Sequence, residues 1–189
     1  LLWLKLDVLS IRLWDEARNA VNAAEMAQTG NLLVRTFNFE PETYNLKPPL
    51  LTWLQAFFIK VLDYNELAIR LPSVIASILS LWLVFKLVFS FTKNHASSIL
   101  AVGITATASG FYGEHVGRFG DHDALLVTLC LWLVYEVFKY VQSGRAKFLY
   151  WSAFAVFLGV MCKSISILLL LPGLVLAILI YRKLIPALK

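Results

Sequence analysis

Charge is scarce in this chain. Only 15% of its 189 residues are Asp, Glu, Lys or Arg, against about 25% in an ordinary soluble domain. With so little polar surface, a single water-soluble globule is a poor reading, and a disordered chain is excluded. Cysteine is nearly missing too. Cys130 and Cys162 both lie inside apolar stretches, where a thiol acts as a small buried hydrophobe, so neither a disulfide framework nor a Cys-rich metal site is expected. No internal repeat or low-complexity tract breaks the chain. It lacks an initiating Met and a signal-peptide pattern. The opening LLWLKLDVLSIRLW reads as the tail of a span that begins upstream, and the closing YRKLIPALK as a loop after a span.

What fills the chain is apolar: 59% of the residues are hydrophobic. A membrane-spanning helix needs roughly 20 apolar residues, so the length accommodates several spans and one substantial loop. The net charge of +5 is uneven. Residues 1–70 carry 7 basic and 8 acidic side chains, while 71–189 carry 10 and 4. The basic residues sit between apolar runs rather than on one patch, which excludes nucleic acid as a partner.

The least apolar region is 15–70. DEARNAVNAAEMAQTGN places Ala17, Ala20, Val21, Ala24 and Ala27 or Gln28 at helical spacing, which predicts an amphipathic helix stopping at Gly30-Asn31. Pro48-Pro49 open a second helix, LLTWLQAFFIKVL, too short to span and rich in aromatics, as an interfacial helix would be. Five apolar runs follow near 71–91, 96–113, 124–141, 148–162 and 164–181. In lipid each must be helical, because no water satisfies the backbone there. The expected organisation is the end of a first span (1–14), a first extracytoplasmic loop with interfacial helices (15–70), and about five spans (71–189). The fold class is all-α, a polytopic transmembrane helical bundle.

Alternate connecting segments, 86–96, 139–148 and 182–189, hold Lys86, Lys93, Lys139, Arg145, Lys147, Arg182, Lys183 and Lys189 without an acid. Positive segments face the cytoplasm. The 15–70 segment and the 114–123 loop then share the opposite face.

Three constellations fall on that face. Asp15 and Glu16 start a helix just past a membrane boundary, where they can act as a base or hold a cation; as an N-cap and a dipole partner they are also ordinary. Lys47 precedes Pro48-Pro49 on a stiff extended segment, as a cation aimed at phosphate would, though a plain surface lysine fits as well. Between Glu114 and Asp123 stand His115, Arg118, Asp121 and His122. Ionisable groups between spans point to function, while Asp121 and Asp123 also suit a helix cap and first turn. The histidines match no zinc spacing. Inside the spans, Lys86 and Glu136 can snorkel or pair within the bundle. Lys163 belongs at the same end as the three constellations.

Taken in order, WDEARNA, KPPLLTWLQAFFIKVLDYNELAIRLPS, GRFGDHDALL and GVMCKS resemble the polytopic glycosyltransferases of the GT-C superfamily. The likeness is to the dolichyl-phosphate-mannose–protein mannosyltransferases and the bacterial aminoarabinose transferases acting on lipid A. It runs from about Ile11 to Ile180. The resemblance implies an integral membrane enzyme with a polyprenyl-phosphate sugar donor and an acceptor, protein, lipid or glycan, on the extracytoplasmic side. The membrane would be cytoplasmic in a bacterium and that of the endoplasmic reticulum in a eukaryote. By the same resemblance Asp15 and Glu16 match the family's acidic pair, Glu16 as a possible ligand of a divalent metal ion. Lys47 matches the lysine on the donor phosphate, and Arg18 a basic residue three places after the first Asp. Asp123, or else Asp121, matches the second-loop acid. Asn19 and Leu46 depart from the Tyr and Glu of the aminoarabinose branch, and family members carry many more spans.

The expected chemistry uses Asp15 as base, with Asp123 or Asp121 placing acceptor or cation. Lys47, Arg18, Arg118 and Lys163 hold the donor phosphate. No cofactor is required beyond a possible divalent metal ion. The rival is a transporter or flippase of a lipid-linked substrate, which would show pseudo-symmetry and midplane charges; a non-catalytic membrane fragment is a third reading.

Overall fold

The computed structural model describes residues 6–112 and 117–187, without the side chains of Tyr112 and 182–187. Glu114 and His115 of the third constellation lie outside the described residues, as do Lys189 and the side chains of Arg182 and Lys183. The described chain is all-α apart from one short hairpin.

Helix α1 spans Asp15–Thr29 and ends where the sequence predicts, at Gly30. Gly30 adopts φ 72° and its N–H donates to the Met26 carbonyl at 3.0 Å. Only a residue without a Cβ takes that left-handed conformation freely. The start differs from the simple capping reading of Asp15. Trp14, at φ 79°, is the flanking residue, and Asp15 is the first helical one with no capping hydrogen bond. The buried side of α1 is also more polar than its alanine stripe implied, because Glu16, Asn19, Asn22 and Glu25 are buried with Ala20, Ala23 and Met26.

Strands β1 (Thr36–Phe37) and β2 (Glu40–Pro41) pair antiparallel across Asn38 and Phe39, both at positive φ. Two left-handed central residues match the twist of a tight hairpin. Helix α2 (Leu50–Leu62) follows Pro49, as proline at a helix start favours. It packs between α1 and the start of α3 (Glu66–Thr92), burying Leu51, Ala56 and Ile59. The first core cluster joins these helices through Ala20, Ala23, Ile59, Ala68 and Ile69.

The rest is a helical bundle. α4 (His95–Thr107) packs back on α3, and α5 (Ser109–Tyr112) is a single turn. α6 (His122–Ser143) packs on both α3 and α7 (Lys147–Lys163). After α7 the chain does not run straight into another helix as the 164–181 run implied. Ser164 takes φ 51°, a 3-10 segment covers Ser164–Leu170, and α8 follows at Leu171–Ala187. Ile167 folds into the second core cluster with Leu129, Leu133, Val137, Ala155 and Cys162. Gly159 permits this approach, since a Cβ there would lie 2.2 Å from Ile167 Cδ1.

Among the described residues, three stretches are long and apolar enough to cross a membrane: Glu66–Thr92, His122–Ser143 and Lys147–Tyr181. Leu50–Leu62 and His95–Thr107 are apolar but shorter. The run expected near 96–113 thus forms a 13-residue helix and a separate turn. The chain is an integral membrane protein by these spans.

Candidate active site

One buried ion pair fixes the ground plan of the polar end. Arg70 in α3 donates to Glu16 in α1 through Nε at 2.8 Å and Nη2 at 3.1 Å. Its remaining N–H groups reach the carbonyls of Leu6, Leu9 and Ser10. Glu16 accepts from two backbone amides as well, Gly120 at 2.9 Å and Arg12 at 2.8 Å. Burial alone would raise the Glu16 carboxyl, but the Arg70 hydrogen bond, both amides and the Arg70 charge outweigh it and hold the group below its ordinary range.

Gly120 gathers a third element. Its carbonyl accepts from Asn19 at 3.1 Å and Gln55 at 3.2 Å, so α1 and α2 are tied to the turn that precedes α6. A Cβ at Gly120 would meet Ile69 Cγ2 at 2.6 Å and the Ile69 carbonyl at 3.0 Å, which explains a glycine here.

Above this layer opens a pocket of about 280 Å³. Asp15, Arg18, Tyr44, Asn45, Leu46, Lys47, Lys163 and Ser164 line it. Four of the residues singled out in sequence thus meet, from α1, the 44–47 segment and the end of α7. Lys47 Nζ lies 3.5 Å from Asp15 Oδ2, and Lys163 pairs with Asp123 Oδ1 in the first turn of α6. These groups stay half-exposed, with the Asp15 side chain 48% and Lys47 28% accessible. The break after Lys163 matters here: the change of direction at Ser164 sets Lys163 at the pocket wall.

A larger cavity, about 450 Å³, adjoins on the other side and is lined by Arg12, Leu13, Trp14, Asp15, Glu16, Phe119 and Asp121. Asp15 lines both spaces. The Arg12 guanidinium sits over the Phe119 ring at 4.3 Å.

Asp121 is buried and caps α6 through the His122 amide at 2.6 Å, as its capping reading predicts. It reaches the second cavity but not the first. Asp123 is not in the first pocket's lining and is joined to it through Lys163. Arg118 lies half-buried in the preceding turn and is not part of the first pocket's lining. Glu16, expected as a possible metal ligand, has a buried carboxylate that accepts from a guanidinium and two amides. No group of three His, Cys, Asp or Glu side chains suited to a metal ion occurs among the described residues.

Sequence reasoning missed several residues that build the site. Arg70 stands just before the apolar run near 71–91 and forms no motif of its own. Glu42 and Asn45 lay in a segment without periodicity. Asn45 donates to Asn19 and Asn22 at 3.1 Å each, and Asn22 donates to Glu42 at 3.2 Å. The only sequence signal was the Asn19 and Asn22 pair on the helical face that also carries Ala20 and Ala23.

Comparison with known proteins agrees with this architecture. Residues 46–187 match the dolichyl-phosphate-mannose-protein mannosyltransferase family. No curated protein matches the chain by sequence. Two solved structures of ArnT from Cupriavidus metallidurans share the fold at 19% identity. The apo state superposes with a TM-score of 0.77 over 92% of this chain and 32% of that one. The form bound to undecaprenyl phosphate gives 0.78 over 95% and 33%. The chain therefore spans about a third of the length of the proteins it resembles in structure.

Proposed function

The chain belongs to the dolichyl-phosphate-mannose-protein mannosyltransferase family, and from that premise we propose that the protein is a membrane glycosyltransferase. It moves a sugar from a polyprenyl-phosphate donor to an acceptor hydroxyl on the extracytoplasmic face. One observation carries the reading: Asp15 stands between two cavities of different chemistry. The first has three cations, Arg18, Lys47 and Lys163, around it. That is a site for a phosphate with its leaving-group charge. The second offers Trp14, Phe119, Arg12 and Asp121, a mix of aromatic faces and polar groups suited to a hydroxylated acceptor. That an ArnT of the same fold is bound to undecaprenyl phosphate supports a polyprenyl phosphate as the carrier.

In this mechanism the acceptor oxygen attacks the anomeric carbon from the second cavity. Asp15 takes the hydroxyl proton as the new C–O bond forms. The bond from the anomeric carbon to the phosphate oxygen breaks, and the phosphate leaves with the electron pair. Lys47, Arg18 and Lys163 stabilise the charge that builds on it. Asp123 places Lys163, and Asp121 faces the acceptor. Phosphate is a good leaving group, so no second carboxylic acid is needed to protonate it.

The test is transfer by the full-length protein in membranes, offered a panel of labelled polyprenyl-phosphate sugars. One donor should label an acceptor and so name the sugar. Asp15→Asn should lower that transfer by about 10²- to 10⁴-fold without changing thermal stability. Full transfer by Asp15→Asn removes Asp15 from the role of base, and no transfer from any donor by the unaltered protein refutes the function.

A further inference from the structure

The Arg18 guanidinium is held unusually well for a residue on a pocket wall. Its Nη1 donates to Glu42 Oε1 at 3.2 Å. The group also lies over two rings, 4.6 Å from the Phe37 centroid and 4.5 Å from that of Tyr44. Arginine pairs favourably with aromatic faces, and stacking leaves the in-plane N–H donors for polar partners. Those donors have no second partner among the described residues, while the side chain lines the cation-rich pocket.

Glu42 is the hub of this arrangement. Its side chain is 4% exposed. Oε1 also accepts from the Tyr44 amide at 2.8 Å, and Oε2 from Asn22 at 3.2 Å. Burial alone would raise the Glu42 carboxyl, but the Tyr44 and Asn45 amides, Asn22 and Arg18 together hold it below the ordinary range. Tyr44 and Asn45 lead directly into Leu46-Lys47. One carboxylate therefore fixes the rotamer of Arg18 and the course of the segment that delivers Lys47.

We infer that Glu42 is a positioning residue, which presents the in-plane edge of Arg18 to the phosphate of a polyprenyl-phosphate ligand. The inference rests on the donor reading of the same pocket. Glu42 itself does not touch the ligand, since it is not part of the pocket's lining. Phe37 acts in the same way from the hairpin, holding Arg18 without reaching the pocket.

The sign of the effect separates positioning from simple charge. Removing a negative charge beside a phosphate site strengthens anion binding by Coulomb's law. If Glu42 orients Arg18, its removal weakens binding instead. The experiment measures binding of undecaprenyl phosphate to the full-length protein in nanodiscs. Glu42→Gln should weaken it about tenfold, the size of one well-placed charge-assisted hydrogen bond. Phe37→Leu, which leaves every charge in place, should weaken it about threefold. In an Arg18→Gln background Phe37→Leu should have no further effect and the loss caused by Glu42→Gln should shrink or change sign, whereas a merely structural role lowers affinity in both backgrounds alike. Unchanged or tighter binding by Glu42→Gln, or an equal loss without Arg18, overturns the inference alone. If Glu42→Gln does not fold, an unchanged affinity in Phe37→Leu overturns it. An unaltered protein that binds no undecaprenyl phosphate overturns the donor reading and this inference together.

Discussion

Asp15 and Glu16 are adjacent in the chain and point into regions built on opposite rules. Below, Glu16 and Arg70 are 4% and 2% exposed, and besides each other their polar atoms meet the amides of Arg12 and Gly120 and the carbonyls of Leu6, Leu9 and Ser10. Above, Asp15, Lys47, Asp123 and Lys163 form two pairs that water still reaches. In a dry region an unmatched charge is costly, so every partner must be present and none can move. In a wet region a pair contributes little to stability and can be exchanged for a ligand. The lower region is a clasp between α1, α3 and the 117–121 turn. The upper one is a set of ionic groups that the clasp holds in place but does not consume.

The strongest way to break this comparison is to cut the clasp. Arg70→Ala leaves Glu16 charged, buried and without its guanidinium, and should cost about 3–5 kcal/mol. Denaturant or thermal unfolding of the purified membrane protein measures it. A loss below about 1 kcal/mol would mean that the lower region is as loosely paired as the upper. Gly120→Ala comes next. The added methyl would collide with Ile69, and overpacking of this kind costs about 1–3 kcal/mol. Unaltered stability would show that the turn is not held against α3. Lys47→Ala sharpens the contrast from the other side. It should leave the unfolding midpoint in place, because a half-exposed pair is worth about 0–1 kcal/mol, yet weaken undecaprenyl phosphate binding about tenfold. A drop in stability with affinity unchanged would reverse the roles assigned to the two regions.

The two regions were also unequally legible in the sequence. The upper groups could be found because each carries a local signal: acids at a helix start, a lysine before two prolines, a charged loop between apolar runs. Their meeting also follows from topology, since helices that cross a membrane return their ends to a common face. The clasp has no such signal. Arg70 pairs with Glu16 across 54 positions, and at the foot of a span an arginine looks like any interfacial charge. Glu42 follows strands only two residues long, too short to show alternation. The long helices were visible from apolar length, while their ends were not: α3 begins at Glu66 rather than near 71, because Asn65 caps it, and Glu66 and Arg70 interrupt the apolar pattern of its opening residues. The 3-10 segment after Lys163 is as apolar as the helix it replaces, so composition gave no warning of the break.

Acid supplies the mildest test of the contrast and needs only the clasp itself. Glu16 and Glu42 both have carboxyls held below their ordinary value of 4.5 in the folded protein. In the unfolded chain each would bind its proton at higher pH. Between those two values the unfolded state carries more protons, so stability falls as pH falls. The contribution of each group is complete above about pH 4.5 and is lost as pH drops through its folded value. The slope is at most about 1.4 kcal/mol per pH unit for each group. Replacing the pair by Glu16→Gln with Arg70→Met removes one of these titrations and leaves Glu42. Unfolding free energy followed from about pH 7 to about pH 3 should then fall less steeply in the double variant than in the unaltered protein. Equal slopes would mean that Glu16 titrates as freely as a surface acid, and the distinction between a dry clasp and a wet pocket would be lost.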